Sequence, residues 1–384
     1  LRTLFCCLAA ALSFASLTGC RKSADPLPAA QAPPPKPKPQ LAEVLLKSHR
    51  PNEAGAIMIL MYHRVRATEP DNNLNRRPET FRKDLQTLYE KGYRPVTVSE
   101  LVDNRMDVPA GKTPVVITFD DALPSQFRVV PGSDGTPKID PDCAVGIMET
   151  FSKTHPDWKT KATFFVLPKE GRNGEPFGQP ESVADKFAYL VNKGYEIANH
   201  TSTHSSLKRM KPDKIQWEIA TAIKDIQAVN PKAEMSTLAL PYGLGPAKEH
   251  LPYLVQGEDG GRRYTNKAVL TAAWRPVLSP ITAAPTGKKK GGSRFARFTP
   301  EWLERITPDA AHPNTAGTFE YWLKEFDDNP GLRYISDGDP NICAVPKSAA
   351  GLVDRARAQK QGKTVQVYDL SASATGGAGE LSVR

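Results

Sequence analysis

Two carboxylates stand side by side at Asp120-Asp121, directly after the apolar run Pro114-Val115-Val116-Ile117-Thr118-Phe119. Adjacent carboxylates at the end of a buried segment are costly unless a cation or a proton lies between them. Further along, His200-Thr201-Ser202-Thr203-His204 separates two imidazoles by three residues. Two imidazoles and one carboxylate suit a divalent metal with a position left open for water, as in catalytic zinc sites. Zinc is the default for such a set, with cobalt or manganese as substitutes. Successive strand residues point to opposite sides, so the two carboxylates are expected to divide the work, one ligating and the other taking a proton from water. His63, which follows Leu60-Met61-Tyr62, and the turn Pro241-Tyr242-Gly243 also end apolar runs.

The elements that must position these residues alternate between two periods. Continuous apolar or β-branched runs at 55–62, 94–98, 114–119, 162–167, 195–198 and 237–240 predict strands, several of them buried on both faces. Between them, 78–91, 141–154, 182–192 and 211–229 predict helices. In the first, Phe81, Leu85 and Leu88 fall at i, i+4, i+7 between an opening Pro78 and a closing Gly92. Lys91-Gly92-Tyr93 recurs as Lys193-Gly194-Tyr195, glycine capping a helix before a strand. Beyond Lys267 the pattern is less regular: strands are expected at 268–274, 295–298 and 332–335, and helices at 300–306 and 318–326. Alternating strand and helix predicts an α/β fold with a parallel sheet, open or closed into a barrel. Functional groups of such folds gather beyond the C-terminal strand ends, which brings His63, Asp120, Asp121, His200, His204 and Tyr242 to one mouth.

The chain has 384 residues, 39% hydrophobic and 24% charged, which excludes a fully disordered polymer and permits two domains or one large barrel. Its net charge of +9 is dispersed, and the densest run, Lys288-Lys289-Lys290, has no interleaved aromatic residues. It reads as a solvated loop, and nucleic acid is not expected as a partner. Residues 1–19 read as a signal peptide, with a basic start at Arg2 and an apolar core too short to span a bilayer. Leu17-Thr18-Gly19-Cys20 resembles a bacterial lipobox, making Cys20 the lipid anchor of an exported, membrane-attached protein facing the periplasm or cell surface. Residues 20–40 include Pro33-Pro34-Pro35-Lys36-Pro37-Lys38-Pro39 and read as an extended tether. The barrel is expected over 41–370 and a flexible tail over 371–384. Cys143 and Cys343 remain as a disulfide pair or as two buried thiols.

Thr118-Phe119-Asp120-Asp121, Ala162-Thr163-Phe164-Phe165-Val166 and His200-Thr201-Ser202-Thr203-His204, in this order, resemble the polysaccharide deacetylases with a NodB-homology domain (carbohydrate esterase family four). The resemblance covers roughly 57–242. It implies a distorted (β/α) barrel of about seven parallel strands with long loop insertions. It also implies metal-dependent hydrolytic removal of N-acetyl groups from an amino-sugar polymer of the cell envelope, whether peptidoglycan, poly-N-acetylglucosamine or a chitin-like glycan. Carried over, Asp120 is the general base, Asp121, His200 and His204 hold the metal, and the backbone N–H of Tyr242 helps stabilise the oxyanion.

Three positions depart from the family pattern. Ala122 stands where a glycine often follows the Asp pair. The third motif, commonly Arg-x-Pro-Tyr, reads Ala239-Leu240-Pro241-Tyr242 and lacks the arginine that pairs with the base; Arg297 is a candidate to replace it. No Leu-x-x-His-type motif near the C-terminus of the barrel supplies a general acid. His250 and His312 lie in unsuitable contexts, whereas Leu60-Met61-Tyr62-His63 resembles the Tyr-His strand of biofilm-polysaccharide deacetylases of the permuted type, making His63 the expected acid. Trp274 is a candidate for the substrate wall. The missing arginine and the unassigned family-type acid keep open an alternative, a catalytically impaired carbohydrate-binding lipoprotein of the same fold. A metal-dependent phosphoesterase ranks below both, without a Gly-rich phosphate loop or a second set of bridging ligands.

Overall fold

A computed structural model describes residues 40–168, 175–283 and 294–370. The expected signal segment 1–19, the tether 20–40 apart from its last residue, the Lys288-Lys289-Lys290 run and the tail 371–384 lie outside the described residues. Among the described residues, no helix is long and apolar enough to cross a membrane.

The strands are β1 (Ala56–Tyr62), β2 (Tyr93–Val96), β3 (Thr113–Asp120), β4 (Thr163–Val166), β5 (Glu196–Asn199), β6 (Thr237–Ala239), β7 (Ala268–Ala272), β8 (Val277–Leu278) and β9 (Leu303–Arg305). They form one sheet in the order β8-β1-β3-β4-β5-β6-β7-β9, with β2 also paired to β3. All pair in parallel except β8, which runs antiparallel to β1. β3 is shared along its length: Thr113–Val116 pair with β2, and Thr118–Asp120 with β4.

The sheet closes on itself just past β9. Ile306 N donates to Ile59 O at 2.7 Å, and Met61 N donates to Ile306 O at 2.8 Å. Strands β1, β3, β4, β5, β6, β7 and β9 thus circle a common axis, a seven-stranded parallel barrel as the family resemblance implied. The main helices are α1 (Pro78–Glu90), α2 (Ala144–Thr154), α3 (Val183–Lys193), α4 (Pro212–Val229) and α5 (Phe319–Asp328). α1 buries Phe81, Leu85 and Leu88, the stripe read from its spacing.

Every residue of β1 is buried, as expected for a strand covered on both faces. The two faces separate cleanly. Ile57 and Ile59 pack inside the barrel with Val116, Phe165, Ala198, Ala239, Leu270 and Leu303. Met58, Leu60 and Tyr62 pack outward with Val115, Ile117, Phe119 and the helix residues Phe81, Leu85 and Ile219. Because alternate residues share a face, His63, Asp120, His200 and Arg305 continue the inward-facing series at the C-terminal end.

Several expectations are corrected. Residues 300–306 are not a helix: Pro300–Trp302 form a single 3-10 turn and Leu303–Arg305 the last barrel strand, because barrel closure requires an extended partner for β1. Residues 295–298 form no strand, and only Ala296 bridges Val277. Residues 332–335 contribute two isolated bridges, Ala56 to Arg333 and Asn52 to Ile335. The expected strand at 268–274 stops at Ala272. A parallel pair, β10 (Ile342–Pro346) with β11 (Thr364–Tyr368), was not read from the sequence. Cys143 and Cys343 are both free and buried.

Candidate active site

Asp120 is the last residue of β3 and points into the barrel, 2% exposed. A carboxylate so placed needs a partner, and Arg305 from the end of β9 provides it. Its Nη1 lies 2.6 Å from Asp120 Oδ1 and its Nη2 2.8 Å from Oδ2, a two-bond fork. Arg305 is itself fully buried, against Thr118 Oγ1 (3.3 Å), Thr271 O (3.3 Å) and the Phe165 ring. Burial works to raise the Asp120 carboxyl, but the Arg305 guanidinium, with help from His200, holds it below the usual carboxylate range. The guanidinium missing from the third motif is therefore supplied by Arg305. Arg297, the residue expected from sequence, is exposed and does not line this cavity.

Asp121 would face the outer layer if β3 continued. Instead the chain turns left-handed, with φ +77° at Asp121 and +48° at Ala122, and returns the second carboxylate to the mouth. Such values are sparsely populated by non-glycine residues and are retained where surrounding contacts over-determine them. Asp121 Oδ1 lies 3.3 Å from His200 Nε2 and 3.2 Å from His204 Nε2. Burial pushes the Asp121 carboxyl up, but hydrogen bonding to His200 and His204 holds it well below the usual range. His200 Nδ1 lies 2.9 Å from Ala239 O. With Nδ1–H donating to that carbonyl, Nε2 is the nitrogen turned towards Asp121, to which it donates while protonated and from which a cation would displace the proton. His200 moves upward, since the Asp120 and Asp121 carboxylates outweigh its burial.

Asp121, His200 and His204 thus present three donor atoms within 4.8 Å of one another. Two imidazoles and an ionised carboxylate, one imidazole held through its Nδ1 so that Nε2 faces the cluster, fit a zinc-type ion. The donor set alone leaves cobalt and manganese equally open.

These groups line a cavity of about 300 Å³, together with His63, Asn73, Leu74, Tyr242, Trp274 and Arg305. His63 follows β1, and its Nδ1 has no hydrogen-bond partner. Burial is the main influence on its imidazole and lowers it, against the pull of Asp120 and Asp121. Gln126, fully buried in the loop after β3, donates through Nε2 to His63 O (2.8 Å) and Asp120 O (2.5 Å), tying two strand ends together. Tyr242 sits at φ +60° in the Pro241–Gly243 turn, with its ring 4.8 Å from that of His204. Leu74, Tyr242 and Trp274 leave large apolar surface exposed at the rim. Trp274, at φ +79°, is anchored through its carbonyl, which accepts from Trp322 Nε1 at 2.8 Å. His250 and His312 do not line the cavity.

Sequence reasoning brought together His63, Asp120, Asp121, His200, His204 and Tyr242, and the structure places all six here. It missed Arg305 and Gln126. For Arg305 a signal existed: an arginine inside the apolar stretch Leu303-Glu304-Arg305-Ile306, in a chain whose buried aspartate still lacked a counter-charge.

The sequence model of the polysaccharide deacetylase family matches residues 107–251. A chitooligosaccharide deacetylase of Bradyrhizobium sp. (strain ANU 289) is 29% identical over 135 residues, which are 35% of this chain and 48% of that protein. The chain thus spans about half the length of this curated relative. Among solved structures, the Streptococcus pyogenes deacetylase PplD in complex with acetate aligns with TM-score 0.45 at 20% identity, covering 65% of this chain and 91% of that one. IcaB from Ammonifex degensii aligns with TM-score 0.45 at 18% identity, covering 69% and 97%.

Proposed function

We propose that this chain, whose residues 107–251 match the polysaccharide deacetylase family model, hydrolyses N-acetyl groups from an amino-sugar polymer of the cell envelope. The observation that carries this reading is the division of labour between adjacent carboxylates. Asp120 is held by Arg305 and Asp121 by two imidazoles, within one open cavity.

In this reading Asp121, His200 and His204 hold a divalent metal, zinc by default. Such a metal, when bound, polarises the acetyl carbonyl and acidifies water. Asp120, kept ionised by Arg305, accepts the proton of the attacking water. Its Oδ2 lies 3.9 Å from His200 Nε2, close enough to the ligand cluster to face the same water. The backbone N–H of Tyr242 supports the negative charge that develops on the acetyl oxygen. His63 takes up a proton from solvent through the open cavity and delivers it to the departing amine, while the proton gained by Asp120 returns to solvent; an imidazole whose acidity is increased by burial releases its proton readily. The exposed faces of Trp274 and Tyr242 offer apolar surface to sugar rings at the rim.

The alternative of a binding protein with impaired catalysis drew on the absent third-motif arginine and on the lack of a family-type general acid. Arg305 on Asp120 answers the first ground, and the second turns on His63. The proposal extends to export and anchoring through Cys20, supported by the lipobox-like Leu17-Thr18-Gly19-Cys20 and the proline-rich stretch that follows.

Acetate release from chitooligosaccharide, poly-N-acetylglucosamine and peptidoglycan, before and after chelation and with zinc, cobalt or manganese restored, tests the assignment. Release from at least one glycan, lost on chelation and recovered with metal, is expected. Glycan binding without chelator-sensitive release from any of them would sink it.

A further inference from the structure

The turn carrying the two histidines is held from below by a buried acid that the mechanism does not use. Glu218 lies on α4, inside the helix's apolar stripe between Ile215 and Ala222, and is fully buried. Its Oε2 accepts hydrogen bonds from Ser202 N (3.1 Å) and Thr203 N (2.9 Å), and its Oε1 accepts from Thr203 Oγ1 (2.6 Å). Successive backbone N–H groups converging on one anion form a nest. Lys214, one helical turn away, reaches Oε1 only at 3.8 Å and is half exposed. An apolar side chain at 218 would complete the stripe without burying a charge, so packing gives no reason for a carboxylate there.

The turn it holds is strained at both ends, with φ +66° at Thr201 and +54° at His204. Asn199 secures the near end: its Oδ1 accepts from Thr201 N at 2.8 Å, and its Nδ2 donates to Ile219 O on α4 at 3.1 Å. The two histidines differ in how they are oriented. His200 is fixed through its ring by Ala239 O, whereas His204 Nδ1 is buried with no hydrogen-bond partner. Beyond the Asp121 contact at its Nε2, the direction of His204 therefore depends on its backbone, whose two preceding residues are those bound by Glu218, and on the Tyr242 ring.

We propose that Glu218 is a positioning residue for the metal site: its carboxylate serves as an internal anion that shapes the Ser202-Thr203 backbone and so aims His204 at the ion. This rests on the reading of Asp121, His200 and His204 as ligands. Removing the carboxylate leaves two backbone N–H donors unsatisfied and relaxes the turn, and His204, whose Nδ1 has no partner to hold it, follows it. Loss of a group that orients a ligand typically lowers metal affinity about 10–100-fold. A glutamine keeps the shape and one acceptor oxygen, losing only the charge-assisted part of the bonds.

The test is Co²⁺ titration of the purified full chain, followed by visible absorption, for wild type, Glu218→Gln and Glu218→Ala, with thermal unfolding of each metal-free protein. Expected is an affinity order of wild type, then Gln severalfold weaker, then Ala about 10–100-fold weaker, with a changed Co²⁺ spectrum in Ala. If Glu218→Ala does not fold, the difference between wild type and Glu218→Gln decides. Variants that unfold earlier yet bind Co²⁺ with wild-type affinity and spectrum would reduce Glu218 to a structural role and overturn the inference. A wild type that binds no Co²⁺ overturns the ligand assignment itself, and the inference with it.

Discussion

Replacing Arg305 by methionine removes the guanidinium from Asp120 while keeping much of the side-chain volume. In the native protein the pair is out of water on both sides, Arg305 fully and Asp120 to within 2%, and is joined by two bonds of 2.6 and 2.8 Å. Breaking a buried pair by deleting one partner costs about 3–5 kcal/mol, because a charge is left without compensation. Asp120 can avoid part of that cost by binding a proton. At about 1.4 kcal/mol per unit, a cost of 3 kcal/mol corresponds to an upward shift of roughly two units. The sign follows from the observed direction. In wild type the Asp120 pKa is lowered on folding, so it adds stability above its unfolded value and loses it as pH falls through the folded one. In the variant, burial is unopposed by Arg305 and the pKa rises on folding, so stability falls as pH climbs. The gap between the two proteins should widen from pH 5 to pH 7.5 in urea denaturation. The acid limb of the acetate-release profile should move to higher pH. Asp120→Asn in the Arg305→Met background should restore much of the lost stability. If the two single losses simply add in the double variant, or if Arg305→Met unfolds with wild type at both pH values, the electrostatic reasoning is wrong.

His63→Gln is expected to lower kcat about 10²–10³-fold while leaving Co²⁺ affinity within a factor of about two, and steady-state kinetics beside a Co²⁺ titration would check this; near-normal turnover would refute the acid role. Trp274→Ala should raise KM about tenfold with little change in kcat, corresponding to roughly 1–2 kcal/mol of lost apolar contact with the sugar ring. Glu53, buried beside Asp337 and only partly offset by Lys363, has its carboxyl pushed up to about 8, chiefly by burial. It thus contributes stability that is complete below its unfolded value and is lost as pH rises towards 8, at most roughly 5 kcal/mol. Glu53→Gln should flatten the decline in melting temperature between pH 5 and 8; parallel curves for the two proteins would contradict this.

The part of the barrel legible in the sequence is the part where period and chemistry coincide. The strands ending at Tyr62 and Asp120 are apolar or β-branched almost to their ends, so His63 and Asp120 mark a strand end and a site at once. β9 defeats this reading because its inward residues include Arg305 and its middle residue is Glu304, both buried and paired. Apolar spacing at Trp302, Leu303 and Ile306 mimics a helix, and only closure against β1 requires extension. Asp121 was placed correctly by its chemistry and not by its backbone: alternation alone sends it outward, and the turn that brings it back depends on contacts that lie far away in sequence. Gln126 gave no signal, since an amide in a loop acquires meaning only when two strand ends lie within its reach.

The seam of the barrel bears on when the protein can first become active. Strand β9 joins β1 through two backbone hydrogen bonds around Ile306, and the next residue back, Arg305, reaches across β1 to Asp120 on β3. During synthesis the N-terminal portion emerges first, so Asp120, Asp121, His200, His204 and the whole matched segment precede the strand that supplies the guanidinium. A chain paused before Leu303 would hold the proposed ligands and the proposed base but lack the guanidinium that pairs with Asp120. Under the proposed mechanism, the charge partner of Asp120 is thus in place only once the last barrel strand has docked.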